Sequence, residues 1–190
     1  VSERMADGKS FMIKPSGVSY EDLVPSQMII CDLDGEVLEG ELSPSSDTFT
    51  HAYIYRHMPQ VGGVVHTHSN YAAAWSAIHS AIPCALTAMA DEFGGEIPLG
   101  PFALIGNDEI GKGVVETLTG HRSSAVIMKN HGVFAIGKDA TAAVKSAVMC
   151  EDVAKTTWIA KSLGNLQLLD QTSIDKLYDR YQNIYGQRGN

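Results

Sequence analysis

Three histidines hold most of the chemistry legible in this chain: His66 and His68 in Val64-Val65-His66-Thr67-His68, and His131 in Met128-Lys129-Asn130-His131-Gly132-Val133. Residues two apart on a strand face the same way, so His66 and His68 can converge on one ion while His131 arrives from a second segment. Three neutral imidazoles suit zinc or a similar divalent ion and leave a coordination position open for water or substrate. A His-x-His pair can also simply end a strand, its ring nitrogens satisfied by ordinary hydrogen bonds.

Two turns offer a second kind of chemistry. Pro44-Ser45-Ser46-Asp47 stands before an amphipathic segment, and a helix N-terminus with free amides and two hydroxyls can receive a phosphate. Helix capping by Ser45 or Ser46, with Asp47 favourable to the helix dipole, accounts for the same residues. Lys14-Pro15-Ser16-Gly17 adds a cation, a hydroxyl and a glycine that admits close backbone approach, although alone it is only a turn. Neither is a Walker-type loop, and no Gly-x-Gly-x-x-Gly follows a strand, so nucleotide binding has no support. Asp91 and Glu92 follow the apolar stretch Ala85 to Ala90 and precede Phe93-Gly94-Gly95; either can be an acid or base, or a solvated loop carboxylate. Tyr185 lies in a polar tail that is either disordered or docked on a neighbouring subunit. His51, His57, His79 and His121 lack paired spacing and read as surface or helix residues. Trp75, Trp158, Phe49 and Tyr53 read as core or interface packing.

The elements that must position these groups alternate along the chain. Strand-like runs fall at Ser10 to Ile13, Met28 to Asp32, Glu36 to Leu38, Val61 to His66, Ala125 to Lys129 and Val133 to Ile136, with Asp34-Gly35 a strong hairpin turn. Val1-Ser2 also opens in strand-like sequence. Helical segments are expected over Ser46 to His57, Asn70 to Ile78, Asp108 to Leu118, Asp139 to Leu163 and Ser173 to Asn183. The longest carries Ala143, Val144, Ala147, Val148, Ala154 and Ile159 near helical spacing and stops at Gly164. Hairpins mixed with crossover helices predict a layered α/β fold with a mixed sheet. At 190 residues, with neither repeats nor an interior linker, the chain is read as one domain over 1–190.

Composition narrows the classes. Apolar residues make up 44% and charged ones 19%, as in soluble globular proteins. With 14 basic against 22 acidic residues the net charge is −8, and no basic run offers nucleic acid a footprint. Cys31, Cys84 and Cys150 are odd in number and far apart, which predicts reduced, buried thiols in a cytoplasmic protein. No long apolar run or leader predicts a membrane span or signal peptide.

Taken together, the ordered set Ile13-Lys14-Pro15-Ser16-Gly17, Glu39-Gly40, Pro44-Ser45-Ser46-Asp47-Thr48, Gly63-Val64-Val65-His66-Thr67-His68-Ser69, Ile97-Pro98, Asn130-His131-Gly132 and Tyr185-Gly186-Gln187 resembles the class II aldolase and sugar-phosphate epimerase superfamily. The similarity covers almost the whole chain and is greatest to the branch that interconverts L-ribulose 5-phosphate and D-xylulose 5-phosphate. It implies a three-layer α/β/α fold with a largely antiparallel central sheet. It further implies one divalent ion per subunit, zinc or alternatively manganese, on His66, His68 and His131, with Asp47 beside it as ligand or acid-base group. The substrate phosphate is expected on Lys14, Ser16, Gly17, Ser45 and Ser46. By the same resemblance Asp91 and Tyr185 are catalytic acid-base groups, Tyr185 reaching the site from an adjacent subunit of a homotetramer. The position of Asp47 is typically glutamate in fuculose-phosphate aldolases, which also lack a counterpart of Asp91, so both residues point to epimerisation. An aldolase of the fuculose- or rhamnulose-phosphate type, a sugar-phosphate dehydratase and a non-catalytic scaffold like the adducin head are the alternatives. Family members carry a helix and a Gly-Asn pair before the Val-Ser matched by Val1-Ser2, its asparagine contributing to phosphate binding; that segment is expected to be absent here.

Overall fold

The computed structural model describes residues 1–184. A single eight-stranded sheet forms its middle layer, in the order β4-β3-β2-β1-β5-β8-β7-β6. The strands are β1 (Ser2–Arg4), β2 (Ser10–Ile13), β3 (Ile29–Asp32), β4 (Val37–Glu39), β5 (Gly63–Thr67), β6 (Leu99–Gly100), β7 (Ala125–Met128) and β8 (Val133–Gly137). Only β6 and β7 pair in parallel; the other pairings are antiparallel, so the sheet is mixed as expected. The β3–β4 hairpin turns at Asp34-Gly35, where Gly35 takes a φ of 88° and the Asp32 carboxylate accepts from the amides of Asp34 and Glu36.

Alternation along the central strands splits the core in two. Val64, Val126, Met128 and Phe134 face helices α1 (Thr48–His57) and α4 (Glu109–Leu118). Val65, Ala125, Ile127, Val133 and Ala135 face the opposite layer of α2 (Asn70–Ala77), α3 (Thr87–Phe93) and α5 (Ala140–Leu163). Helix α6 (Gln171–Asn183) packs outside α3. Helix α5 lies close on the sheet because its inward stripe is small, with Ala143, Ser146, Ala147, Cys150 and Ala154 buried. Gly63 has to be glycine for that approach, since a Cβ there would stand 2.2 Å from the Asp139 carbonyl oxygen. As a consequence, half of the apolar positions read from periodicity on this helix face outward: Val144, Val148 and Ile159 are exposed, and so is Trp158.

Helix α3 and the two-residue β6 have no counterpart among the expected elements. Two turns of helix, entered at Leu86 without a side-chain cap, leave little periodic signal; the buried face is only Met89, Ala90 and Phe93. Asp91 and Glu92 are therefore helical, which corrects the loop reading, and Gly94 is the left-handed residue that ends the helix. All three cysteines are free and buried. Among the described residues no helix is long and apolar enough to cross a membrane.

Candidate functional site

Strand β5 carries His66 on the same face as Val64, above the α1 layer, and β8 sets Phe134 directly opposite it. The two rings stack with centroids 4.2 Å apart and planes 14° from parallel. His66 Nδ1 lies 2.8 Å from the Val133 carbonyl oxygen, which can only accept, so Nδ1 carries the proton and Nε2 presents a lone pair. That Nε2 is 3.0 Å from His68 Nε2. His131 completes the group from the turn between β7 and β8, its ring 4.7 Å from that of His66 and 5.0 Å from that of His68. One ring nitrogen from each of the three lies within 4.8 Å of the others.

The turn that delivers His131 is specialised. Asn130 is left-handed at φ 54°, a conformation asparagine tolerates better than most, and its Oδ1 lies 2.6 Å from His79 Nε2. At Gly132 a Cβ would stand 2.4 Å from the Thr67 carbonyl oxygen and 2.9 Å from the His68 ring. A side chain there would push apart the two segments that bring His68 and His131 together.

Asp47 is the N-cap of α1, yet its side chain makes no capping bond. Its Oδ1 is buried with no hydrogen-bond partner, and the same is true of His131 Nε2. The carboxylate acts electrostatically on both His66 and His131, favouring their charged forms. Burial outweighs it: His66 is held down at about 4 and His131 below the ordinary histidine value, so both rings are neutral near pH 7 and their lone pairs are available. A buried bare carboxylate oxygen, a buried bare imidazole nitrogen and two Nε2 atoms turned toward each other fit a divalent cation, whose binding would satisfy all four.

The two turns read as phosphate sites are one structure. A bridge joins Pro15 to Pro44, Ser16 N–H donates to the Ser43 carbonyl at 2.9 Å, and Ser45 N–H donates to the Lys14 carbonyl at 3.2 Å. Ser16, Gly17 and Ser46 are exposed on this double turn, and Gly17 takes a φ of 71°. Lys14 Nζ donates to the Pro15 carbonyl at 3.0 Å and lies over the Tyr20 ring.

The sequence profile of the class II aldolase and adducin N-terminal domain matches residues 1–158. The chain belongs to that family. Solved structures agree: an L-fuculose 1-phosphate aldolase superposes with a TM-score of 0.88 at 23% identity, over 95% of this chain and 84% of that one. YgbL of Escherichia coli, for which an aldolase, epimerase or decarboxylase role has been suggested, superposes with a TM-score of 0.80 at 27% identity, over 93% and 84%. L-fuculose-1-phosphate aldolase of Thermus thermophilus matches with a TM-score of 0.67 at 25% identity, over 85% and 81%.

Within this class II aldolase fold, Asp91 stands apart from the histidines of its own chain. Gly94, one turn beyond it, abuts Arg122, which lies just before β7 begins, whereas His131 follows the end of β7. The Asp91 side chain is 19% exposed, with Oδ1 buried and without a partner and Oδ2 3.9 Å from Arg180. Its neighbour Glu92 pairs with Lys145 at 2.7 Å, and Lys145 also donates to the Tyr181 hydroxyl. The Gly94-Gly95 backbone belongs to this packing and not to the histidine centre. Tyr185 lies outside the described residues.

Several residues at the centre escaped the sequence reading. Phe134 floors it, a position recoverable from the antiparallel register of the two His-bearing segments. His51 is a helix residue, as read, but a buried one: its Nδ1 is 2.6 Å from Ser2 Oγ, which in turn is 2.8 Å from the Tyr55 hydroxyl. Burial, with His66 as a lesser cause, holds His51 well below its ordinary value. Asp47, His51 and Tyr55 recur every four residues, one stripe of α1, and that spacing was the available signal. Of the aromatics read as core or interface packing, Trp75 is in the core, and Phe49 and Trp158 are exposed on the single chain.

Proposed function

We propose that this chain is a metal-dependent sugar-phosphate epimerase that inverts C4 of a ketopentose phosphate, interconverting L-ribulose 5-phosphate and D-xylulose 5-phosphate. The observation that carries the reading is the triad His66, His68 and His131 with the bare carboxylate of Asp47 beside it. A divalent ion held there, zinc or manganese, supplies Lewis-acid stabilisation of the negative charge that develops on the sugar, worth several kcal/mol. Lys14, Ser16, Gly17, Ser45 and Ser46 bind the phosphate on the paired turns.

C4 of a 2-ketose is not adjacent to the carbonyl, so its hydrogen is not acidic and simple proton abstraction is closed. Cleavage of the C3–C4 bond is the way round. One base removes the C4 hydroxyl proton, the bond breaks to an enediolate of dihydroxyacetone and glycolaldehyde phosphate, the aldehyde turns about its tethered phosphate, and the bond re-forms on the other face. The new C4 alkoxide takes a proton from the opposite side. Two acid-base groups are required, and Asp91 and Tyr185 fill those roles. Because Asp91 sits at the far end of β7 from its own histidines, it serves the centre of a neighbouring subunit, as Tyr185 does, in a homotetramer with sites at subunit interfaces. The phosphate tether keeps the aldehyde from escaping.

A class II aldolase that releases its fragments is the second reading, favoured by the fuculose-phosphate aldolases among the solved relatives. Incubation of the metal-loaded protein with L-ribulose 5-phosphate separates the two. Formation of D-xylulose 5-phosphate without free glycolaldehyde phosphate supports the epimerase; free aldehyde makes the protein an aldolase; no turnover of any ketose phosphate by metal-loaded protein removes both.

A further inference from the structure

Helix α2 begins at Asn70, two residues after His68, and its first amides need acceptors. Its N-cap, Ser69, does not supply one: the Ser69 hydroxyl is 2.7 Å from Thr67 Oγ1, and no side-chain capping bond forms. The acceptor comes from another helix. Glu151, in the middle of α5, receives the Tyr71 amide at 3.0 and 3.1 Å with its two carboxylate oxygens and the Ala72 amide at 3.0 Å with one of them. A carboxylate at a helix N-terminus also meets the positive end of the helix dipole. One turn further along each helix, the Trp75 indole donates to the Ala154 carbonyl at 3.1 Å, so α2 is fastened to α5 at two successive levels.

The segment fixed this way is the exit from β5. His66 is held by the strand ladder and by its bond to the Val133 carbonyl. His68 lies past the end of the strand, and the structure gives its ring one polar contact, to His66 Nε2. Where its ring points is set by the path of the chain from Thr67 to Asn70, anchored at one end by β5 and at the other by the capped start of α2.

We propose that Glu151 is a positioning residue for the histidine centre: by capping α2 from α5 it fixes the turn that carries His68 and keeps that imidazole aimed at the ion shared with His66 and His131. The proposal rests on the reading of these histidines as metal ligands. Groups that orient ligands from outside the coordination sphere typically change metal affinity ~10–100-fold when removed.

The test is zinc affinity, measured on the full chain by competition with a chromophoric chelator. Wild type is expected to bind one zinc per chain and His66→Ala to lose it. Glu151→Ala is expected to weaken zinc binding by ~10–100-fold. Glu151→Gln, which keeps an acceptor but not the charge, is expected to lose less and to retain hydrogen-exchange protection at Tyr71 and Ala72. Ser146→Ala, which removes the buried Ser124–Ser146 hydroxyl contact on the same helix, is the control for general loss of stability and should bind zinc as wild type does. Wild-type zinc affinity in Glu151→Ala, or in Glu151→Gln should the alanine variant not fold, overturns the proposal. An equal loss in Ser146→Ala reduces it to ordinary destabilisation and overturns it too. Failure of wild type to bind zinc, or undiminished binding by His66→Ala, instead overturns the metal reading itself and the positioning role with it.

Discussion

The two ends of β7 use their polar groups differently. At the end where His131 stands, the imidazoles of His66 and His68 turn nitrogen toward nitrogen, and the buried Asp47 Oδ1 and His131 Nε2 have no partner. At the other end, around α3 and α6, charges satisfy each other: Glu92 with Lys145, Lys145 with Tyr181, Arg122 with Asp175. A network that only holds helices together satisfies its members, whereas one that awaits a ligand leaves them bare at a cost in stability. Asp91 is the exception at the satisfied end, with one buried oxygen unpartnered, in keeping with the acid-base role proposed for it.

The contrast between the two ends rests most heavily on the histidines. His66→Ala should abolish metal binding and, with several kcal/mol of charge stabilisation gone, lower turnover by on the order of 10³-fold or more. Metal analysis alongside steady-state rates checks this, and an active, metal-free variant would contradict it. Asp91→Asn should cut epimerisation by about 10²-fold or more, as expected for removal of an acid-base group, while leaving the zinc content unchanged. Gly132→Ala should cost about 1–3 kcal/mol through the clash with Thr67 and His68, visible as a lower unfolding midpoint together with weaker metal binding.

Acid should separate the two ends as well. In the metal-free chain His51, His66 and His131 are all held below the ordinary value of 6.5 by burial. The unfolded chain therefore binds more protons than the folded one below that value, so their contribution to stability is complete above about pH 6.5 and is lost as the pH falls toward about 4. Urea unfolding across that range should show the decline, and bound zinc should deepen it, because protons compete for the same nitrogens. The smallest effect is expected at the satisfied end. Lys145 is half exposed, so Lys145→Ala should cost no more than about 1 kcal/mol and leave the zinc content at its wild-type value.

Much of this was legible in the residues. Period-2 alternation and strong turn chemistry marked the central strands, and the His-x-His spacing is sufficient to put His66 and His68 on one face. The arrival of His131, and the joining of the Lys14 and Ser45 turns into one surface, depend on long-range pairings of β5 with β8 and of Pro15 with Pro44, which local pattern does not specify. Helix α3 was hidden because it is short and uncapped. Which apolar positions of α5 face the sheet was not legible, because small residues, not large ones, line the side that touches it. His51 was hidden by its chemistry: a buried imidazole looks superficial until the hydroxyls of Ser2 and Tyr55 are seen beside it.

In the proposed mechanism the histidine centre of one subunit is completed by Asp91 of its neighbour. Mixing two inactive variants, His66→Ala and Asp91→Asn, and allowing subunits to exchange tests this directly. Random reassembly should restore activity at up to about a quarter of the sites, those pairing an intact centre with an intact neighbouring Asp91. A mixture that exchanges subunits yet stays inactive would contradict the claim.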